Sequence, residues 1–148
     1  MNDDWFELLV ALLDADARFM VVGAHAMAVH GVPRATQDLD VWVEPTTENA
    51  ACVWQALVAF GAPLADLGIT ANDFCQPGIV VQMGLPPNRI DLLTALSGLD
   101  DFASVSRAQV RHAVRGRMIP FLGREALIKN KRAAGRQKDL ADVEALGG

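Results

Sequence analysis

The chain has 148 residues, of which 51% are hydrophobic and 21% are charged. These values predict a single folded domain over residues 1–148, and they exclude a disordered chain and a multidomain machine. The net charge of −5 divides unevenly, because residues 1–101 carry −11 and residues 102–148 carry +6. A basic third attached to an acidic body favours polyanionic ligands such as a triphosphate or RNA.

Membrane and disulfide signals are weak in this sequence. No apolar run approaches the roughly 20 residues that a membrane-spanning helix needs, and the N-terminal segment is acidic rather than basic. Cys52 and Cys75 are too few for a disulfide framework and are expected to be buried thiols. We therefore expect a cytoplasmic protein with no membrane partner.

The first half of the chain predicts helix, strand, helix, strand and helix in that order. Apolar residues at three- and four-residue spacing indicate an amphipathic helix over residues 4–17. A short apolar run predicts a buried strand over 19–22, Gly23 a tight turn, and residues 24–30 a short helix. Residues 38–44 alternate as a strand does, and Thr47 is the expected N-cap of a helix that ends near Phe60.

The second half is less regular. Residues 62–77 show only a short helix around Asn72, and residues 79–83 and 89–93 predict two strands of a hairpin. Residues 109–122 predict one or two edge strands around Gly116. Residues 124–134 and 137–146 are helical and form a basic C-terminal segment, about residues 123–146, in which Gly135 either kinks one helix or separates two. The fold class is therefore α+β (mixed α/β), with a small mixed sheet of four to six strands flanked by helices.

Asp38 and Asp40 are the most informative pair in the sequence. On a strand their side chains share a face about 6.6 Å apart along the backbone, and two solvated carboxylates are the ordinary explanation of such a pair. Three features favour a nucleotide–metal site instead. The first strand turns at Gly23 directly into a helix with free N–H groups, 13 residues separate Ala24 from Asp38, and Asp91 stands in an apolar strand. Hard carboxylate oxygens on one face suit Mg²⁺.

Several stretches of the chain resemble one enzyme superfamily. Val22-Gly23-Ala24, then 13 residues, then Asp38-Leu39-Asp40-Val41 resembles the head motif of the DNA polymerase β-like nucleotidyltransferases. The strings GAHAMAVHGVPRATQDLDVWV, RIDLL and ALIKNKRAAGRQKDLADVEAL are similar to small prokaryotic members related to abortive-infection, toxin-type nucleotidyltransferases. The resemblance spans about residues 19–146. It departs at Ala24, where the family usually has Gly or Ser, because alanine has no hydroxyl to donate to a phosphate.

The resemblance implies transfer of a nucleoside monophosphate from an NTP to a hydroxyl of RNA, a protein or a small molecule. The implied setting is a toxin–antitoxin or phage-defence system. Asp38, Asp40 and Asp91 would be catalytic and would hold Mg²⁺ or Mn²⁺, and Asp91 would also help to deprotonate the acceptor hydroxyl. Gly23 and Ala24 would contact the β- and γ-phosphates. The alternative is an inactive copy that acts as a binding module or antitoxin and contacts a partner protein; Ala24 favours it, and the three intact aspartates oppose it.

Two residues of the loop before Asp38 are further candidates for phosphate binding. Arg34 offers a cation and Thr36 a hydroxyl at this point of the chain. Pairing of Arg34 with one of the aspartates explains it equally well. Trp42 shares the face of Asp38 and could stack on a nucleobase, but packing under a helix is the better interpretation.

Cations around Gly135 are the remaining candidates. Lys129, Lys131 and Lys138 belong to a run of five bases that is typical of a solvated helix face. Facing an acidic body, the run favours a clamp on the triphosphate or on the acceptor. A continuous helix would place Lys131 and Lys138 on one face and would allow Lys138 to pair with Asp142.

Overall fold

The computed structural model describes residues 1–148 and contains a six-stranded sheet with helices on both faces. The strands are β1 (Phe19–Val22), β2 (Asp38–Val43), β3 (Val80–Met83), β4 (Arg89–Leu93), β5 (Val110–Val114) and β6 (Arg117–Phe121). Their order in the sheet is β3-β4-β2-β1-β6-β5. The β2–β4 and β1–β6 pairs are parallel and the other three are antiparallel, which confirms the predicted mixed α/β class.

Seven α-helices and one 3₁₀ turn complete the chain. The helices are α1 (Asp3–Asp14), α2 (Gly23–Val29), α3 (Thr47–Phe60), α4 (Leu64–Leu67), α5 (Phe102–Ser106), α6 (Arg124–Ala134) and α7 (Gln137–Ala145), and the 3₁₀ turn is Ala71–Cys75. No helix combines the length and the apolar character that crossing a membrane requires.

The structure corrects several local predictions. Thr46 rather than Thr47 caps α3, because its hydroxyl accepts the Asn49 N–H at 3.2 Å. Gly135 adopts φ +69° and ends α6, so it separates two helices rather than kinking one. Residues 109–122 form β5 and β6, of which β5 is an edge strand, as the prediction of one or two edge strands allowed, whereas α5 was not predicted. Cys52 and Cys75 are free thiols, but they are half-buried rather than buried.

The larger core lies on the sheet face that packs against α1 and α3. Alternate residues of β2, which are Leu39, Val41 and Val43, belong to a cluster of 20 buried side chains on this face. The burial follows from the strand period of two, because the remaining β2 side chains must point to the opposite face.

The smaller core lies on the opposite face, under α2, α5, α6 and α7. Met20, Val22 and Trp42 project into this cluster of 11 buried residues. Trp42 is 2% exposed and meets Phe102 edge-on at 5.2 Å, so it packs under a helix rather than offering its ring to a base. Where β2 and β4 begin, this face carries charged side chains instead of apolar ones.

Candidate active site

Four charged side chains form a square on the face of the smaller core. The parallel register of β2 and β4 places Asp38 opposite Arg89 and Asp40 opposite Asp91. Residues two apart on a strand share a face, and neighbouring strands lie about 4.8 Å apart, so all four side chains are neighbours. The strand pairing therefore brings the three predicted aspartates together on one face. Arg89 lies among them.

Arg89 is a site residue that the sequence did not predict. Its Nη2 donates to Asp38 Oδ2 at 3.1 Å, its Nε lies 3.0 Å from Asp38 Oδ1, and its Nη2 lies 3.5 Å from Asp91 Oδ2. The signal in the sequence was the arginine two positions before Asp91 in RIDLL, which shares the face of that acid. Its partner on β2 could be known only from the strand register.

Asp40 and Asp91 carry negative charge that the protein does not fully compensate. Burial, the charge and hydrogen bond of Asp91, and the charge of Asp38 together raise the pKa of Asp40 to about 7, although Arg89 opposes the shift. Asp91 is 8% exposed, and its Oδ1 is buried without a hydrogen-bond partner. A cation beside these two carboxylates would reduce their mutual repulsion and would give the buried Asp91 Oδ1 a partner.

Gly23 lies directly against this pair of carboxylates. It adopts φ +67° at the end of β1, and a Cβ built on it would stand 2.4 Å from Asp40 Oδ2. Glycine is therefore required both by the backbone conformation and by the approach of the carboxylate. Ala24 follows in the first turn of α2, and no side chain caps that turn. The uncapped N-terminus of α2 thus begins beside Asp40.

The oxygen ligands that Mg²⁺ prefers are present, but they do not form a complete set. Asp40 and Asp91 fit a divalent cation because they supply adjacent buried carboxylates, one with an unpartnered oxygen. No three His, Cys, Asp or Glu side chains are arranged around one point, since Arg89 holds the Asp38 carboxylate. Asp38 could become a third ligand only if it exchanged this ion pair for the metal.

Arg34 and Thr36 are both engaged within the protein. Arg34 Nη2 lies 2.7 Å from Asp142 Oδ1, so the arginine pairs with an aspartate of α7 and not with Asp38 or Asp40. The Thr36 hydroxyl donates to the Asp38 carbonyl at 3.0 Å and accepts the Asp38 N–H at 3.1 Å. Thr36 therefore shapes the backbone where β2 begins.

The C-terminal cations divide into paired and free ones. Lys131 Nζ lies 3.0 Å from Asp142 Oδ2 and 3.6 Å from Asp139 Oδ1, and its side chain is only 16% exposed. Lys129 and Lys138 are exposed and take part in none of the ion pairs. The anticipated pair of Lys138 with Asp142 does not form, because Gly135 interrupts the helix and Asp142 is held by Lys131 and Arg34.

Asp139 and Asp142 anchor this C-terminal network. Both are buried, at 0% and 3% exposure. The Arg136 side chain donates to Asp139 at 2.6 Å, and this hydrogen bond lowers the pKa of Asp139 below its ordinary value. The network stabilises the α6–α7 packing, and it leaves fewer free cations in the basic segment than the composition suggests.

Comparison with known proteins identifies the fold. No family model and no curated protein sequence matches the chain significantly. The structure is similar to that of a protein of Thermotoga maritima inferred to be a nucleotidyltransferase, with TM-score 0.60, 14% identity, and coverage of 99% of this chain and 92% of that one. It is also similar to the lincosamide antibiotic adenylyltransferase LnuA with lincomycin bound, with TM-score 0.65, 13% identity, and coverage of 100% and 97%.

A third similar structure is that of the antibiotic-resistance factor ANT(2'')-Ia in solution. The TM-score is 0.57, the identity is 14%, and the match covers 97% of this chain and 80% of the other. At these identities the likeness concerns the fold alone. The chain therefore has a nucleotidyltransferase-like fold over nearly its whole length.

Proposed function

We propose that residues 1–148 form one metal-dependent nucleotidyltransferase domain, which transfers a nucleoside monophosphate from an NTP to a hydroxyl. The observation that carries this proposal is the placement of Asp40 beside Asp91 and against Gly23, with Asp38 next in line, in a nucleotidyltransferase-like fold. A buried pair of carboxylates, one with a raised pKa and the other with an unpartnered oxygen, is costly unless it serves a ligand.

The proposed roles follow from the contacts of each residue. Asp40 and Asp91 would hold Mg²⁺, or alternatively Mn²⁺, and Asp38 would join them if it left Arg89. The bound metal would neutralise charge on the triphosphate and orient it. The N–H groups of Gly23 and Ala24 face the β- and γ-phosphates.

The reaction is an in-line displacement at the α-phosphorus. The acceptor oxygen forms a bond to that phosphorus while the bond to the β-phosphate oxygen breaks, and pyrophosphate leaves. The hydroxyl proton leaves as this bond forms, and Asp91 would take it with the carboxylate oxygen that does not hold the metal. Lys129 and Lys138, which are exposed and unpaired, draw the triphosphate or the acceptor toward the site. Arg34, Thr36 and Lys131 would contribute only by exchanging their present partners for phosphate oxygens.

A second candidate function has one specific observation in its favour. Arg89 already supplies a cation to Asp38, and this internal pair could replace the metal in a copy that has lost catalysis. Such a protein would act as a binding module or antitoxin that contacts a partner protein. The toxin–antitoxin or phage-defence setting and the cytoplasmic location stay predictions under either function.

Nucleotide binding separates the two candidates. We expect at least one of ATP, GTP, CTP and UTP to raise the melting temperature in the presence of Mg²⁺, and to do so much less in EDTA. The Asp40→Asn variant, whose fold is checked by circular dichroism, should lose the Mg²⁺-dependent increase in melting temperature. If all four nucleotides fail with the wild-type protein and Mg²⁺, the inactive module is the correct assignment. For an active enzyme, mass spectrometry of cellular RNA and protein after expression would identify the acceptor by its added nucleotide.

A further inference from the structure

The segment that forms α5, β5 and β6 has an unusual charge. Residues 102–123 contain five basic residues and no acid; the bases are Arg107, Arg111, His112, Arg115 and Arg117. The rest of the C-terminal third is different, since its four acids include the buried Asp139 and Asp142. Besides the free Lys129 and Lys138 of the C-terminal helices, the β5 edge of the sheet therefore carries positive charge with no acid of its own segment to compensate it.

Two of these arginines are free to bind a ligand. Arg115 donates to Asp3 at 2.9 Å and Arg117 to Asp14 at 3.0 Å, so both fasten the hairpin to α1. Arg107 and Arg111 are exposed and take part in none of the ion pairs. Arg107 ends α5, and Arg111 lies four positions further on in the edge strand.

A cavity of about 430 Å³ adjoins Arg111, and Ser106, the chain neighbour of Arg107, also lines it. Arg111, Arg18, Ser106 and Gln109 supply its polar wall, and its apolar wall includes Met118, which is 52% exposed. No acid lines this cavity. Arg111 is the unpaired cation of the polar wall, because Arg18 lies 3.4 Å from Glu44. A wall of guanidinium, hydroxyl and amide groups opposite an exposed apolar wall matches a nucleotide, which has a charged phosphate at one end and an apolar base face at the other.

Arg111 and the aspartates project from the same face of the sheet, while the cavity lies at the Phe19 end of β1. Arg111 is paired with Pro120, and Met118 and Pro120 alternate with the buried Ile119 and Phe121 of the larger core, so Arg111 projects toward the opposite face. That is the face of Asp38, Asp40 and Asp91. The sheet order places β5 three strands from β2, which is about 14 Å across the sheet. The register also offsets Arg111 from Asp40 by about two residues along the strands, and the helices over the smaller core lie between them, so an RNA bound at β5 reaches the aspartates only by passing around these helices.

We propose that the Arg107–Arg111 edge and the adjoining cavity bind single-stranded RNA. Arg107 and Arg111 contact phosphates, and one base lies against Met118. Arginine favours this ligand over an acidic peptide, because its planar guanidinium binds phosphate through two donors and also stacks on bases. The role of this RNA as the nucleotidyl acceptor rests on the proposed function, whereas the binding itself does not.

Fluorescence polarisation with a labelled single-stranded RNA of about 12 nucleotides tests the surface. We expect the R107Q/R111Q variant to bind at least ten-fold more weakly than the wild type, with a salt slope that is smaller by about 1.4 for two lost phosphate contacts. The A51E/Q55E variant makes the same change in net charge at two exposed positions of α3, so it should bind as the wild type does.

The outcomes distinguish the two proposals. If the wild type does not bind RNA, if R107Q/R111Q binds as A51E/Q55E does, or if poly-glutamate displaces the RNA at equal concentration, the RNA surface is wrong. Nucleotide binding with Mg²⁺ is measured on the same variants. R107Q/R111Q should retain it, and Asp40→Asn should lose it while still binding RNA, so failure of the catalytic proposal leaves the RNA result interpretable.

Discussion

Gly23 and Asp40 are in such close contact that a single methyl group between them would overlap the carboxylate. A Cβ on Gly23 would stand 2.4 Å from Asp40 Oδ2. The turn that ends β1 therefore fixes the position of the second aspartate, and the conformations of the two residues are coupled.

The first prediction tests this contact with the Gly23→Ala variant. The new methyl group must displace the Asp40 carboxylate, so Mg²⁺-dependent nucleotide binding should be lost. Gly68→Ala is the matched control, because Gly68 has φ +66° and no neighbour within 4 Å of a built Cβ. Backbone strain should lower the free energy of unfolding of both variants by about 1–2 kcal/mol. Titration calorimetry should show altered nucleotide binding only in Gly23→Ala. Equal binding in the two variants would contradict the proposed coupling.

The second prediction concerns the pH dependence of Asp40→Asn. The pKa of Asp40 is about 7 in the folded protein, against 3.8 as the ordinary value, so the folded state binds the proton more tightly. The wild type therefore loses stability as pH rises from about 4 to about 7, and the asparagine variant does not. The melting temperature of the variant minus that of the wild type should increase across this range and level off above it. A difference that is constant with pH would show that Asp40 ionises normally.

The third prediction concerns Arg89→Gln. Without the guanidinium the three carboxylates repel one another with no cation between them, so the variant should lose roughly 2 kcal/mol in EDTA. Added Mg²⁺ should then raise its melting temperature more than that of the wild type. Arg117→Gln is the control, because Arg117 pairs with the exposed Asp14 and its loss should cost less than about 0.5 kcal/mol. If Mg²⁺ raises the melting temperature of Arg89→Gln no more than that of the wild type, the three aspartates do not form a metal site.

The fourth prediction separates the paired and free lysines. Lys131→Gln leaves two buried aspartates with less compensation and should lower the free energy of unfolding by about 2–3 kcal/mol. Lys138→Gln should leave stability unchanged, because that lysine is exposed and unpaired. The Lys138→Gln variant should instead bind nucleotide more weakly, and its affinity should change less with salt concentration. Unfolding in urea and nucleotide titrations at two salt concentrations measure both effects; unchanged stability of Lys131→Gln would refute the role of the network.

The elements that the sequence predicted best are those with a strong local period. The alternation of residues 38–44 predicted β2 and its two faces, and the structure keeps Leu39 and Val41 in the larger core with Asp38 and Asp40 on the other face. The hairpin of β3 and β4 was predicted from the breaker residues between its strands, and its antiparallel register confirms it. In both cases the pattern of side chains along one short segment was sufficient.

What the sequence could not predict depends on contacts between distant segments. Arg89 meets Asp38 through the register of two strands that are 51 positions apart. Lys131 was predicted to bind phosphate, and Arg34 to bind either phosphate or one of the site aspartates, but the packing of α7 brings Asp142 to both of them. α5 is only five residues long and has too little periodicity to be recognised.

The position of β1 has a consequence for the synthesis of this protein. β1 pairs with β2 on one side and with β6 on the other, so its second neighbour lies about a hundred positions later in the chain. One edge of β1 therefore has no partner strand until β6, which ends at residue 121, has emerged from the ribosome. Fragments that end before β6 should present this unpaired apolar edge and aggregate, and native folding should finish only after most of the chain has emerged.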